Sequence, residues 1–112
     1  MTAVVVVDIY GLAGRAGELV ALLRETQEHA RLEPGCVRYA FADVVGDPGH
    51  HLVVQEWRDE AALEAHYASP SFRRYQHHVG ELLARPSQVR LYRGARTVQL
   101  TDPGPIDPRR AD

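Results

Sequence analysis

One histidine, His66, stands where acid–base chemistry is possible, inside the block Gln55 to Val79. That block leaves an apolar strand at Leu52 to Val54, passes Trp57 and opens a helix at Asp59. A second helix opens at Ser69-Pro70 and carries Phe72, Tyr75, Gln76 and Val79. A cleft between these helices and a sheet holding Tyr39 and Trp57 would place an imidazole among aromatic rings. Such a site suits a small, flat, apolar molecule, and an imidazole can take a phenolic proton at neutral pH. His66 is therefore the candidate base, with Trp57, Tyr39, Phe72, Tyr75, Gln76 and Val79 as the candidate substrate wall. The plain alternative for each is packing on a half-buried helix or strand face.

A second catalytic candidate is Asp8, which interrupts a strand otherwise made of Val and Ile. A carboxylate in that setting must find a partner or have a raised pKa. Its structural alternative is to cap a turn near Gly11. The pairs His50-His51 and His77-His78 do not predict a metal, because adjacent residues point in different directions. No Cys or carboxylate cluster completes a tetrahedral set. Cys36 follows a Pro-Gly turn with only Arg38 nearby to activate it, and reads as structural. Gly11, Gly14 and Gly17 do not have the dinucleotide-binding spacing.

The elements that must position these residues are legible from periodicity. Ala3 to Ile9 is rich in β-branched residues and predicts a strand. Ala16, Leu19, Val20, Leu23 and Ala30 recur at helical spacing between Arg15 and Arg31, and Glu33-Pro34-Gly35 stops that helix. Cys36 to Ala42 alternates, with Val37, Tyr39 and Phe41 expected on one face. Asp47-Pro48-Gly49 turns the chain into a third strand, His51 to Trp57. Asp59 caps the next helix, and Pro70 takes the first position of the one after. Phe72, Tyr75, Val79, Leu82 and Leu83 make that helix's stripe. Val89 to Tyr92 reads as a fourth strand, with room to continue through Val98 to Leu100.

At 112 residues, with 45% apolar and 25% charged residues, the chain is expected to form one soluble globular domain. A formal net charge of −2 without a basic run argues against nucleic acid. The apolar run Ala3 to Val7 is too short to span a bilayer, so no membrane association is expected. A single cysteine allows no internal disulfide, and a reducing cytoplasm is the simplest home. Residues 1–100 are expected to form the domain. Thr101 to Asp112, rich in Pro with only Ile106 to bury, reads as a flexible tail.

The order strand, helix, strand, strand, two helices, strand is a ferredoxin-like α+β pattern, β-α-β-β-α-α-β, with an antiparallel sheet. Helices then cover one sheet face. The first strand is apolar on both, with Val4 and Val6 on one face and Val5, Val7 and Ile9 on the other. A bare apolar face predicts a second copy packed against it, a two-fold homodimer forming a dimeric α+β barrel.

Four segments in order carry a family resemblance: Glu33-Pro34-Gly35-Cys36-Val37-Arg38-Tyr39, Gln55-Glu56-Trp57, Glu60-Ala61-Ala62-Leu63-Glu64-Ala65-His66, and Ser69-Pro70-Ser71-Phe72. Together they resemble the antibiotic biosynthesis monooxygenase domain family over roughly residues 3–93. The resemblance implies the dimeric barrel, a ligand cavity in each subunit, and oxidation of quinols or polyketide aromatics by dioxygen without metal or flavin. Heme-degrading members carry Asn, Trp and His where this chain has Asp8, His66 and Gln76, so heme degradation is not implied. Polyketide-hydroxylating members carry an Asn and an aromatic where this chain has Val53 and Leu63, keeping only Trp57. His66 matches a His common in quinol-oxidising members and in members acting on a phosphorylated signalling sugar. Their second His, just before the aromatic of the last helix, is Ser71 here.

The expected function is thus a cofactor-independent monooxygenase for a small electron-rich aromatic, such as a quinol or a polyketide-like phenol. The alternatives are an isomerase acting on a small oxygenated metabolite and a non-catalytic ligand-binding dimer.

Overall fold

Valine and isoleucine crowd the first strand, and the fold gives its two faces different neighbours. In the computed structural model, which describes residues 1–99, β1 runs Thr2–Tyr10 with alternating burial. Ala3, Val5, Val7 and Ile9 are buried, while Val4, Val6, Asp8 and Tyr10 are half-buried on the opposite face. β1 is central. It pairs antiparallel with β3 (His50–Trp57) on one side and β4 (Gln88–Ala95) on the other. β2 (Cys36–Asp43) pairs with β3 as a hairpin, giving the order β2-β3-β1-β4. Helices α1 (Ala16–Ala30), α2 (Glu60–Tyr67) and α3 (Pro70–Val79) complete the ferredoxin-like α+β order. The expected tail, Thr101 to Asp112, and Leu100 lie outside the described residues.

The core lies between the inward residues of the sheet and α1, where Leu19, Leu22, Leu23, Thr26 and Ala30 are buried. Leu22 and Thr26 thus join the expected stripe, and Ala16 is exposed. Burial of each large aliphatic side chain contributes about 1.5–3 kcal/mol. The tail of α1 turns into β2 through Gly35, whose φ of +82° lies in the left-handed region that glycine enters freely. A Cβ there would come within 2.6 Å of the Ala62 Cβ, so the missing side chain lets this turn sit against α2. The Arg58 N–H donates to the Gly35 carbonyl at 2.8 Å and ties the turn to the entrance of α2.

Both caps read from the sequence are present. The Asp59 carboxylate accepts the Ala62 N–H at 2.8 Å. The Ser69 hydroxyl accepts the Phe72 N–H at 3.2 Å and donates to the His66 carbonyl at 2.6 Å. One side chain therefore closes α2 and opens α3.

Three local expectations are corrected. Val37 does not share a face with Tyr39 and Phe41; it is 60% exposed. A register shift between Cys36 and Arg38 inserts an extra residue, so Cys36 opposite Trp57 and Tyr39 opposite Gln55 face inward instead. The helical stripe does not run to Leu83: α3 ends at Val79, Gly80–Leu82 forms a 3-10 turn, and Leu83 is extended. Gly80, which loses more backbone freedom in a helix than any other residue, marks the break. The fourth strand ends at Ala95, short of Val98.

Candidate functional site

The inward faces of β1, β2 and β3 leave a gap under α3 that the helix does not fill. No residue of α3 is buried. Its apolar side, with Phe72, Tyr75 and Val79, looks across a cavity of about 360 Å³. Tyr39 and Gln55 form part of the floor, and Tyr67 and Gln76 stand on the helical side. Among the described residues that line it, none is charged. Its titratable side chains are three tyrosines. Burial pushes the Tyr75 hydroxyl up to about 12 and raises Tyr39 and Tyr67 as well, because a phenolate loses its hydration there. All three are neutral donors at neutral pH.

His66 lies one ring behind this wall. It is fully buried, caged by Trp57, Phe72, Tyr67 and Tyr39 with ring centroids 4.7, 5.2, 5.7 and 5.9 Å away. Its Nδ1 is 2.7 Å from the Glu33 carboxylate. An ionised carboxylate only accepts, so Nδ1 carries the proton and donates it to Glu33. In the neutral ring, Nε2 is then an acceptor, and it is buried without a hydrogen-bond partner among the described residues. The carboxylate thus fixes the tautomer that leaves Nε2 free to receive a proton.

Beside it, Trp57 is fully buried, and its indole N–H donates to the Gln55 Oε1 at 3.0 Å. Neither Trp57 nor His66 lines the cavity; both lie behind the residues that do. Tyr39, Phe72, Tyr75, Gln76 and Val79 are brought to the cavity.

Asp8 is not. It lies on the opposite face of the sheet from Val7 and Ile9, where its Oδ1 meets His50 Nε2 at 2.7 Å. His50 Nδ1 meets Asp47 at 2.9 Å, and its ring stacks on Tyr10. The adjacent His51 points inward and bonds Asp43 at 2.6 Å. The His50-His51 pair diverges as strand alternation requires, and among the described residues no three His, Cys, Asp or Glu converge on a metal-binding point.

Sequence reasoning missed Glu33, Gln55 and Tyr67. Gln55 carried a usable signal, since it occupies an inward position in the alternation His51, Val53, Gln55, Trp57. Glu33 had none beyond its place before Pro34-Gly35, because its partner is 33 residues away.

The fold is thus a ferredoxin-like α+β domain with an uncharged aromatic cavity under α2 and α3. The sequence pattern of the family described as antibiotic biosynthesis monooxygenase matches residues 2–78, and the chain belongs to that family. It is 37% identical over 71 residues to Rv0793 of Mycobacterium tuberculosis, a protein named as a candidate monooxygenase, covering 63% of this chain and 69% of that one. The solved structure of Rv0793 superposes with a TM-score of 0.82 at 27% identity, over 88% of this chain and 100% of that one. A solved antibiotic biosynthesis monooxygenase gives 0.77 at 28% identity, over 84% and 99%. A Synechocystis protein, sll1783, is 34% identical over 83 residues, 74% of this chain, and the chain spans 56% of its length. No helix among the described residues is long and apolar enough to cross a membrane.

Proposed function

We propose that this protein is a monooxygenase that inserts one atom of dioxygen into a small, neutral, electron-rich phenol, a quinol being the simplest case. The observation that carries the reading is the uncharged cavity walled by Tyr39, Tyr67, Phe72 and Tyr75. Such a wall binds a flat ring by apolar burial and ring contacts, and it disfavours charged metabolites.

The chemistry follows from the substrate's own electrons. Deprotonation makes a phenolate, which reduces dioxygen directly, so the reaction needs no metal or flavin. A quinol and dioxygen give a hydroxyquinone and one water. The protein supplies orientation, exclusion of water and a base. The base is His66, whose Nε2 is freed for the task by Glu33. Between His66 and the cavity stand the rings of Tyr39, Tyr67 and Phe72, which line the cavity and pack against the imidazole.

Oxygen uptake by purified protein with a panel of quinols tests the reading. His66→Ala should lower the rate by roughly a hundredfold or more, the usual scale for a lost general base. Full activity in that variant would remove His66 from the chemistry. Absence of uptake with every phenol would remove the oxidation itself. One observation favours a second reading, a ligand-binding domain without catalysis: among the described residues, none that lines the cavity is a base at neutral pH. In that case quinols bind and no oxygen is consumed.

A further inference from the structure

Most of the cavity surface is apolar or aromatic, so the few amide and hydroxyl groups in it decide how a ligand is oriented. Gln55 is set apart from the others by a buried hydrogen bond that orients its amide. It is only 4% exposed, sits on β3 between β2 and β1, and lines the cavity floor. An amide can ordinarily present either its oxygen or its nitrogen. Here the choice is made by Trp57. The indole N–H is a donor only, and it lies 3.0 Å from the far end of Gln55, so the oxygen must face the indole. The carboxamide NH2 is the part left for the cavity. Trp57 is fully buried and packs against the His66 ring at 4.7 Å, which holds the indole in place by packing.

We propose that Gln55 is the specificity-determining donor of this cavity, and that it receives an oxygen atom of the ligand, a phenolic hydroxyl or a ring carbonyl. The assignment rests on the reading of the cavity as the substrate site. It adds a requirement that apolar burial alone does not impose: the ligand must present a hydrogen-bond acceptor to the sheet floor. A ring lacking one leaves a buried amide N–H group unpaired, and that unpaired donor penalises its binding. The same donor suits the proposed reaction, because a hydrogen bond to an oxygen strengthens as negative charge develops on it. Trp57 acts one step removed, as a positioning residue that keeps the amide from flipping.

The test uses two neutral ligands of nearly equal shape, acetophenone and isopropylbenzene, titrated by calorimetry. Acetophenone has a carbonyl acceptor and no donor, so a preference for it reports a donor in the protein. The native protein should prefer acetophenone. The double variant Gln55→Leu with Trp57→Phe removes both ends of the internal bond and leaves no buried polar atom alone. It should lose the preference by roughly three- to tenfold, the range of a neutral hydrogen bond, while isopropylbenzene binds as well or better. Trp57→Phe alone should reduce the preference partly, because the amide is then free to flip. Retained preference in the double variant would assign the donor to another polar group of the lining, a hydroxyl of Tyr39, Tyr67, Tyr75 or Ser87 or the amide of Gln76, and overturn the proposal. Equal weakening of both ligands would show that Gln55 only holds the fold. If neither ligand binds the native protein, the cavity is not a ligand site and the proposal falls with it. Since no oxygen is consumed, a positive outcome stands even if quinols prove not to be oxidised.

Discussion

At the scale of single residues, the site turns on one pairing that the sequence does not announce. His66 was legible, because it falls on a helix following a strand-borne Trp. Glu33 was not, since only the folded turn at Gly35 brings it to His66. The pairing predicts a graded response. Glu33→Gln keeps an acceptor for the Nδ1–H and should hold both the melting temperature and the tautomer. Glu33→Leu leaves that buried donor unpaired, which costs about 1–3 kcal/mol. Thermal denaturation should separate the two variants, and oxygen uptake should fall in the leucine variant and recover in the glutamine one. Equal behaviour of the two variants would mean that Glu33 is a bystander. Asp8 shows the opposite case. Its residue type suggested a site, yet the strand's own alternation places it with Val4 and Val6, away from Val7 and Ile9. Periodicity was the stronger guide there than chemistry.

At the scale of elements, boundaries came through because their signals are local: Val and Ile runs, Asp59 and Ser69 as caps, Pro-Gly turns. The bulge in β2 was invisible, because it depends on which partner residue each strand position meets. Two inter-element ties make testable claims. Gly35→Ala forces left-handed backbone on a residue with a Cβ, costing about 1–2 kcal/mol, and drives that Cβ onto Ala62. Its melting temperature should drop by several degrees, and the Glu33–His66 contact should loosen with it. The second tie is His50, held between Asp8 on β1 and Asp47 in the β2–β3 turn. Both ring nitrogens meet carboxylates, so the doubly protonated ring fits best. The hydrogen bond to Asp8 is the main cause that raises its pKa above the ordinary 6.5. A raised histidine stabilises fully below its unfolded value, about 6.5, and the contribution is lost as pH rises through the folded value. Around it stand Asp8, Asp47, the stacked Tyr10, and Arg85 over the Tyr10 ring at 3.7 Å. The melting temperature should therefore decline above about pH 6.5 in native protein. In His50→Gln that decline should shrink. An unchanged slope would show that His50 is not held charged by these carboxylates.

At the scale of the whole molecule, the sequence suggested an unpartnered sheet face, and the register locates it residue by residue. Val4 lies between Glu56 and Tyr92, and Val6 between Val54 and Arg90. Ala40 pairs with Val54, and Ala42 with Leu52. The centre of this face is thus Val4, Val6, Leu52, Val54 and Ala40, with Arg38, Glu56, Asp8 and Arg90 around it. Helices α1 to α3 pack on the other side. Apolar centre and charged rim are the composition of a specific interface, and the same surface on two copies can close with two-fold symmetry. We therefore propose a homodimer through this face. Light scattering at low micromolar concentration should give twice the monomer mass. Val54→Arg, at the centre, should give a monomer whose circular dichroism is unchanged, because the core on the helix side does not use Val54. A native protein that stays monomeric would mean that another part of the chain covers the face. A Val54→Arg dimer as tight as native would place the contact elsewhere on the molecule.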